Sequence, residues 1–120
     1  MDELIGRLVA NAGVEKQQAE KAVGIILNFL KKEGPADKVQ ALIDKLPGAA
    51  SAIAAAEQDD AGGFSMGGVM GAGSKMMAAG MGMGQVQAVT KEMLAYAREK
   101  AGEDAVGAIV GAIPGLSAFV

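Results

Sequence analysis

Apolar residues recur every three or four positions along most of the chain, which is the spacing of helices that bury one side. The longest stripe predicts a helix over 15–32, with one side formed by Ala19, Ala22, Val23, Ile26, Phe29 and Leu30. Gly13 and Gly34-Pro35 delimit this helix, because Gly is typical after a helix C-terminus and Pro suits the first turn of the next helix. The same spacing predicts helices over 3–12 and 36–45. We therefore predict an all-α protein.

The pattern of the first half returns in the second half. Pro47 and Pro114 lie 67 positions apart, and each follows an apolar residue and precedes Gly. At this offset, 1–53 aligns with 68–120 without gaps and gives ten identities. They are Gly6/Gly73, Ala12/Ala79, Gly13/Gly80, Gln18/Gln85, Leu27/Leu94, Asp37/Asp104, Val39/Val106, Ala41/Ala108, Pro47/Pro114 and Gly48/Gly115. The alignment predicts two tandem three-helix repeats with pseudo-two-fold symmetry, packed as one domain of residues 1–120.

The segments outside the shared pattern complete the predicted organisation. An alanine-rich stretch over 49–57 predicts a helix that extends the first repeat. Residues 58–63 are polar and then glycine-rich, so we predict a linker there. In the second repeat, the same pattern predicts helices over 68–79, 85–100 and 105–112. The first of these contains Gly71 and Gly73, each costing about 1 kcal/mol relative to Ala, so we expect it to form only where packing stabilises it.

Composition excludes several kinds of site. The chain has neither Cys nor His, which rules out disulfides, zinc sites built on those ligands, and Cys or His nucleophiles. The net charge is −3 and the basic residues are scattered, so we expect no nucleic-acid partner. The most apolar acid-free stretch, 62–84, is glycine-rich and interrupted by Lys75, so we expect no membrane span. The start Met1-Asp2-Glu3 lacks the features of a secretory signal, and we predict a cytoplasmic protein.

The joint-helix-Pro unit carries a family resemblance. At Gly34–Gly48, and again at Ala101–Gly115, the sequence resembles an uncharacterised bacterial family, domain of unknown function 2267, to which a family numbered 2780 is related. The shared feature is a tandem arrangement of an amphipathic helix, a short polar joint, a second helix and an apolar-Pro stop. The resemblance implies a small bacterial helical protein and transfers no catalytic residue. It does not extend to the glycine- and methionine-rich middle of the chain.

Candidate catalytic and ligand-binding groups have simpler interpretations. Residues 68–75 resemble a phosphate-binding loop, but Ser74 separates Gly73 from Lys75 and no strand precedes them. The carboxylate candidates are Glu57, Asp59 and Asp60, and the pairs Glu15/Glu20 and Glu99/Glu103. The first group lacks the alternating spacing of a calcium loop, and no apolar cleft is evident around the pairs, so solvated surfaces are favoured. We predict no enzyme activity, no cofactor and no metal site.

Methionine and glycine concentrate in the middle of the chain and form the most informative feature. Met packs adaptably at binding surfaces, and Gly lets another backbone approach closely. A low-complexity core helix is the simpler interpretation of the same composition. The predicted interaction face consists of Phe64, Met66, Met70, Met76, Met77, Met81 and Met83.

This face predicts a non-catalytic helical interaction protein that self-associates as a homo-oligomer or binds another protein. The alternative is a binder of a small apolar ligand or lipid in a methionine-lined cavity. A third alternative is an enzyme that works only through carboxylates and Lys. A methionine and glycine face packed on another chain favours the first, whereas a filled cavity favours the second.

Overall fold

Seven helices make up the secondary structure of the described residues, and no strand is found among them. The computed structural model describes residues 2–46, 48–60, 68–113 and 115–116. The helices are α1 (Asp2–Ala12), α2 (Lys16–Glu33), α3 (Ala36–Lys45), α4 (Ala49–Asp60), α5 (Gly68–Ala78), α6 (Met83–Ala101) and α7 (Glu103–Ala112). The predicted all-α class is therefore confirmed.

A single hydrophobic core takes side chains from all seven helices. Its fully buried large side chains are Leu4, Leu8, Leu27, Leu30, Leu42, Leu94, Ile109, Val23, Val39, Val89 and Val106. The radius of gyration is 12.7 Å, close to the value of about 14 Å expected for one compact domain of this length. The chain is thus one compact globule, stabilised by the apolar stripes that the sequence places on each helix.

We call α1–α4 the first half of the chain and α5–α7 the second half. The first helix of each half packs mainly against a helix of the other half. Helix α1 contacts α6 more extensively than α2, and α5 contacts α2 more extensively than α6. Gly13 and Gly80 terminate these two helices with positive φ values of 70° and 101°, the left-handed conformation that Gly adopts at helix ends. Each terminating turn directs the chain into the long helix that follows, α2 or α6.

Helix α4 packs along α2, and Gly24 is the point of closest approach. A Cβ atom added to Gly24 would collide with the carbonyl oxygen of Ala52 and lie 3.1 Å from the Cβ of Ala56. Only glycine therefore allows the two backbones this separation. Helix α4 extends to Asp60, so residues 58–60 of the predicted linker 58–63 are helical and the rest lies outside the described residues. Within the described residues, α4 has no counterpart in the second half.

Several helix bounds and buried positions agree with the offset of 67. Helices α3 and α7 begin and end 67 positions apart, and α2 and α6 begin 67 positions apart. Equivalent positions are buried in both halves at Ala22/Val89, Ile26/Met93, Leu27/Leu94, Phe29/Tyr96, Val39/Val106, Leu42/Ile109 and Leu46/Ile113. The predicted pseudo-two-fold symmetry itself stays a prediction, to be tested by superposing 14–48 on 81–115.

Candidate functional site

The predicted methionine face is divided between core and surface. Met76 and Met81 are buried, with 2% and 3% of their surface exposed, whereas Met77 and Met83 are 46% and 57% exposed. Helical geometry accounts for the division on α5, because neighbours in sequence point about 100° apart, and here Met76 faces the core while Met77 points away from it. Phe64 and Met66, and the side chain of Met70, lie outside the described residues.

Met76 lies at the contact between the two halves of the chain. It lines a small cavity together with Ile26 and Phe29 of α2 and Val86 and Thr90 of α6. The cavity encloses about 20 Å³, room for about one water molecule. In the part of the chain that the structure describes, this site therefore gives no support to the alternative prediction of a small apolar ligand or lipid in a methionine-lined cavity.

Arg7 forms a charged contact between α1 and α6. Its Nη1 donates a hydrogen bond to Oε2 of Glu99 at 2.6 Å, and its Nη2 lies 3.4 Å from Oε2 of Glu92. The guanidinium also lies over the ring of Tyr96, 5.5 Å from the centroid, close enough for a cation–π interaction. The hydrogen bond to Glu99 raises the pKa of Arg7; partial burial opposes this rise, and the negative charges of Glu99 and Glu92 add to it.

The residues of this charged contact come from different halves: Arg7 lies in the first half, and Glu92 and Glu99 lie in the second. At the offset of 67, Ser74 occupies the position of Arg7, while the positions of Glu92 and Glu99 are taken by Ile25 and Lys32. In this alignment, the first half offers Lys32 in place of Glu99, and the second half offers Ser74 in place of Arg7. The charges therefore favour contact between a first half and a second half.

An open groove of about 940 Å³ lies on α1, α2, α4 and α5, and we call it the alanine groove. Its apolar lining consists of Ile5, Val23, Ile25, Ala52, Ala55, Ala56, Ala78 and Ala79. Its polar lining consists of Gln17, Glu20, Lys21, Ser51 and Lys75. Val9 lies one helical turn from Ile5 on α1 and is 40% exposed. The groove takes residues from both halves of the chain.

The sequence contains only partial signals for these features. The alanine-rich stretch predicts α4, but the groove depends on how closely α4 approaches α2, which Gly24 permits and periodicity does not reveal. Glu92 and Glu99 lie seven positions apart and therefore on one side of a helix, a signal for a cation partner. Nothing in the sequence identifies Arg7 as that partner, because the contact spans 92 positions.

Phosphate and metal sites find no support in the described part of the chain. The segment 68–75 that resembles a phosphate loop lies within α5, so its backbone N–H groups do not form a loop around a ligand. No group of three or more Asp and Glu side chains in the described residues could hold a metal ion. The side chains of Glu57, Asp59 and Asp60 lie outside this description. None of the described helices combines the length and apolarity needed to cross a bilayer.

Comparison with known proteins adds no relative. No family model, curated protein or solved structure matches the chain. The resemblance at Gly34–Gly48 and Ala101–Gly115 therefore stays a prediction.

Proposed function

We propose that this protein is a non-catalytic helical interaction protein that self-associates by domain swapping, in which two copies exchange their halves. In the exchanged dimer, residues 1–60 of one copy pack on residues 68–120 of a second copy. The observation that carries the proposal is the packing of α1 on α6 and of α5 on α2, which makes each half depend on the other. A second copy offers the same two complementary surfaces, and such exchange is a low-cost route to a dimer.

The contact between the halves is mostly apolar and contains the buried part of the methionine segment. Met76 packs among Ile26 and Phe29 of α2, and in the exchanged dimer this contact joins two copies. Since the same contacts form within one copy or between two, exchange alters little buried surface. The balance then depends on protein concentration and on the length of the connection between the halves, the seven residues 61–67.

Polar contacts determine which surface of the second copy each half binds. Arg7 meets Glu92 and Glu99 only when a first half faces a second half. Each surface ion pair contributes about 0.2–1 kcal/mol, so these pairs select the partner surface while the apolar contact supplies most of the stability. The chain contains no Cys or His, which supports a role in binding rather than nucleophilic catalysis.

Cross-linking of cysteine variants tests the exchange, because the natural chain has no cysteine. Copies carrying only Arg7→Cys are mixed with copies carrying only Glu99→Cys, unfolded, refolded together at high concentration and treated with a short thiol cross-linker. We expect a covalent product of twice the 12.0 kDa chain mass. A single chain with both substitutions serves as the positive control, since its cross-link forms inside the monomer.

The matched control pairs Arg7→Cys with Asp44→Cys, an exposed position on α3 that makes no described contact with Arg7. We expect little covalent dimer from this pair. Dimers detected by mass but linked equally well through Asp44 would show self-association by another surface. A monomer under all refolding conditions would contradict self-association itself.

A further inference from the structure

We propose that α4 is a detachable helix, which leaves α2 and unfolds while the other described helices stay folded. This change of conformation goes beyond self-association and does not require it. Helix α4 packs along α2 and has a smaller contact with α3. Among its described side chains, over 49–56, Ile53 is the one large apolar group that is buried. The fully buried large side chains at the centre of the core lie on other helices, so release of α4 leaves this centre intact.

Helix α4 covers a polar side of α2. Gly24, the point of closest approach to α4, shares its side of the helix with Lys21 and Asn28, which lie three and four positions away. The core-facing stripe of α2, which includes Val23 and Leu30, is apolar and points in another direction. With α4 released, α2 therefore has the ordinary form of an amphipathic surface helix, apolar towards the core and polar towards water.

The second half contains a long helix of the same kind that is folded without such a cover. At the offset of 67, Gly24 and Asn28 correspond to Lys91 and Ala95 of α6. Lys91 is exposed, and no helix in the described residues corresponds to α4. Because the two halves bury several equivalent positions, an α2 without α4 resembles the folded α6.

Asn28 opposes the docking of α4. Its side chain is 4% exposed, and its Oδ1 is buried with no hydrogen-bond donor in the described structure. A buried carbonyl oxygen without a donor raises the free energy of the closed state, and water satisfies this oxygen once α4 has left. Helix α4 has 12 residues, and an isolated helix of this length is marginal in water, so it unfolds on release. Release extends the connection between the halves from residues 61–67 to residues 49–67, a consequence for exchange that rests on the proposed function.

Hydrogen exchange of the intact native protein tests this device. We expect the backbone N–H of Ile53 to exchange at least about tenfold faster than that of Leu94 in the middle of α6, since only the latter requires global unfolding. Exchange at Ile53 should also depend weakly on low urea concentrations, because release of α4 exposes little surface. In the exchanged dimer α4 still packs on α2 of its own chain, so the outcome does not depend on whether the protein dimerises. Equal protection and equal urea dependence at Ile53 and Leu94 would overturn the proposal.

Two glycine-to-alanine variants separate local release from global unfolding. Gly107→Ala stabilises α7, which is folded in both states, so it is expected to slow exchange at Leu94 about twofold to fivefold and to leave Ile53 unchanged. Gly24→Ala places a Cβ against α4 and should speed exchange at Ile53 at least about fivefold. Asn28→Ala removes the unpaired oxygen and should slow exchange at Ile53 about fivefold. Equal slowing of both sites by Gly107→Ala, or a rate at Ile53 unaffected by Gly24→Ala, would overturn the release of α4.

Discussion

Gln18 and Gln85 make similar pairs of hydrogen bonds from opposite halves of the chain, although their acceptors in the other half, Ala79 and Gly13, differ by one position at the offset of 67. Oε1 of Gln18 accepts from the backbone N–H of Glu15 at 3.0 Å, and Oε1 of Gln85 accepts from that of Gly82 at 2.9 Å. Nε2 of Gln18 donates to the carbonyl of Ala79 at 3.4 Å, and Nε2 of Gln85 donates to that of Gly13 at 2.8 Å. Each glutamine thus caps its own long helix and holds the end of the first helix of the other half.

Removing these glutamines should weaken the contact between halves. Gln85→Ala loses two hydrogen bonds and is expected to lower the free energy of unfolding by about 1–2 kcal/mol. Gln18→Ala is expected to cost less because its cross-half bond is longer. Urea denaturation measures both. Gln87→Ala, an exposed position on the same helix as Gln85, should change stability by less than about 0.5 kcal/mol. A cost of Gln87→Ala equal to that of Gln85→Ala would contradict this role.

Gly24→Ala and Gly107→Ala should change the stability of the protein in opposite directions. At Gly24 the added Cβ meets the carbonyl oxygen of Ala52, so Gly24→Ala is expected to displace α4 and lower stability by about 1–2 kcal/mol. At Gly107 no atom from another part of the described structure lies within 4 Å of the added Cβ, so the better helix propensity of Ala should raise stability by about 0.5–1 kcal/mol. Thermal melts of the two variants compare them. A stabilising Gly24→Ala would mean that α4 does not pack on α2 as described.

Phe29 and Tyr96 fill equivalent buried positions of α2 and α6. Phe29→Ala removes a buried ring and is expected to cost about 3–5 kcal/mol. The exposed Val9→Ala on α1 provides a comparison and should cost well under 1 kcal/mol. Chemical denaturation followed by helical circular dichroism measures both. A denaturation midpoint unchanged by Phe29→Ala would show that this stripe of α2 is not the core.

The divided methionine segment predicts different effects for neighbouring residues. Met77→Glu together with Met83→Glu places charge on exposed positions and should leave the helical content unchanged. Met76→Glu buries a carboxylate without a partner between the halves and should unfold the protein or strongly destabilise it. Circular dichroism at neutral pH distinguishes the two outcomes. Equal tolerance at positions 76 and 77 would contradict the orientation of α5.

The sequence predicts the helices well because their ends are marked by local chemistry. Gly13 and the Gly34-Pro35 pair lie at the ends of α1 and α2, where the structure also ends them. It does not predict that α1 packs on α6, since apolar periodicity gives the buried side of a helix and not its partner. The methionine content of the middle of the chain predicts one face that includes Met76, Met77, Met81 and Met83. The structure instead places Met76 in the core and Met77 on the surface. The alanine groove forms where small side chains line the surface, and no sequence motif predicts such a groove.

Mass in solution tests self-association most directly. The protein is unfolded, refolded over a range of concentrations and measured by light scattering coupled to size exclusion. Exchange of halves predicts a species of twice the 12.0 kDa chain mass, whose share rises with protein concentration during refolding and whose helical content equals that of the monomer. A single 12.0 kDa species at every concentration would contradict the central claim.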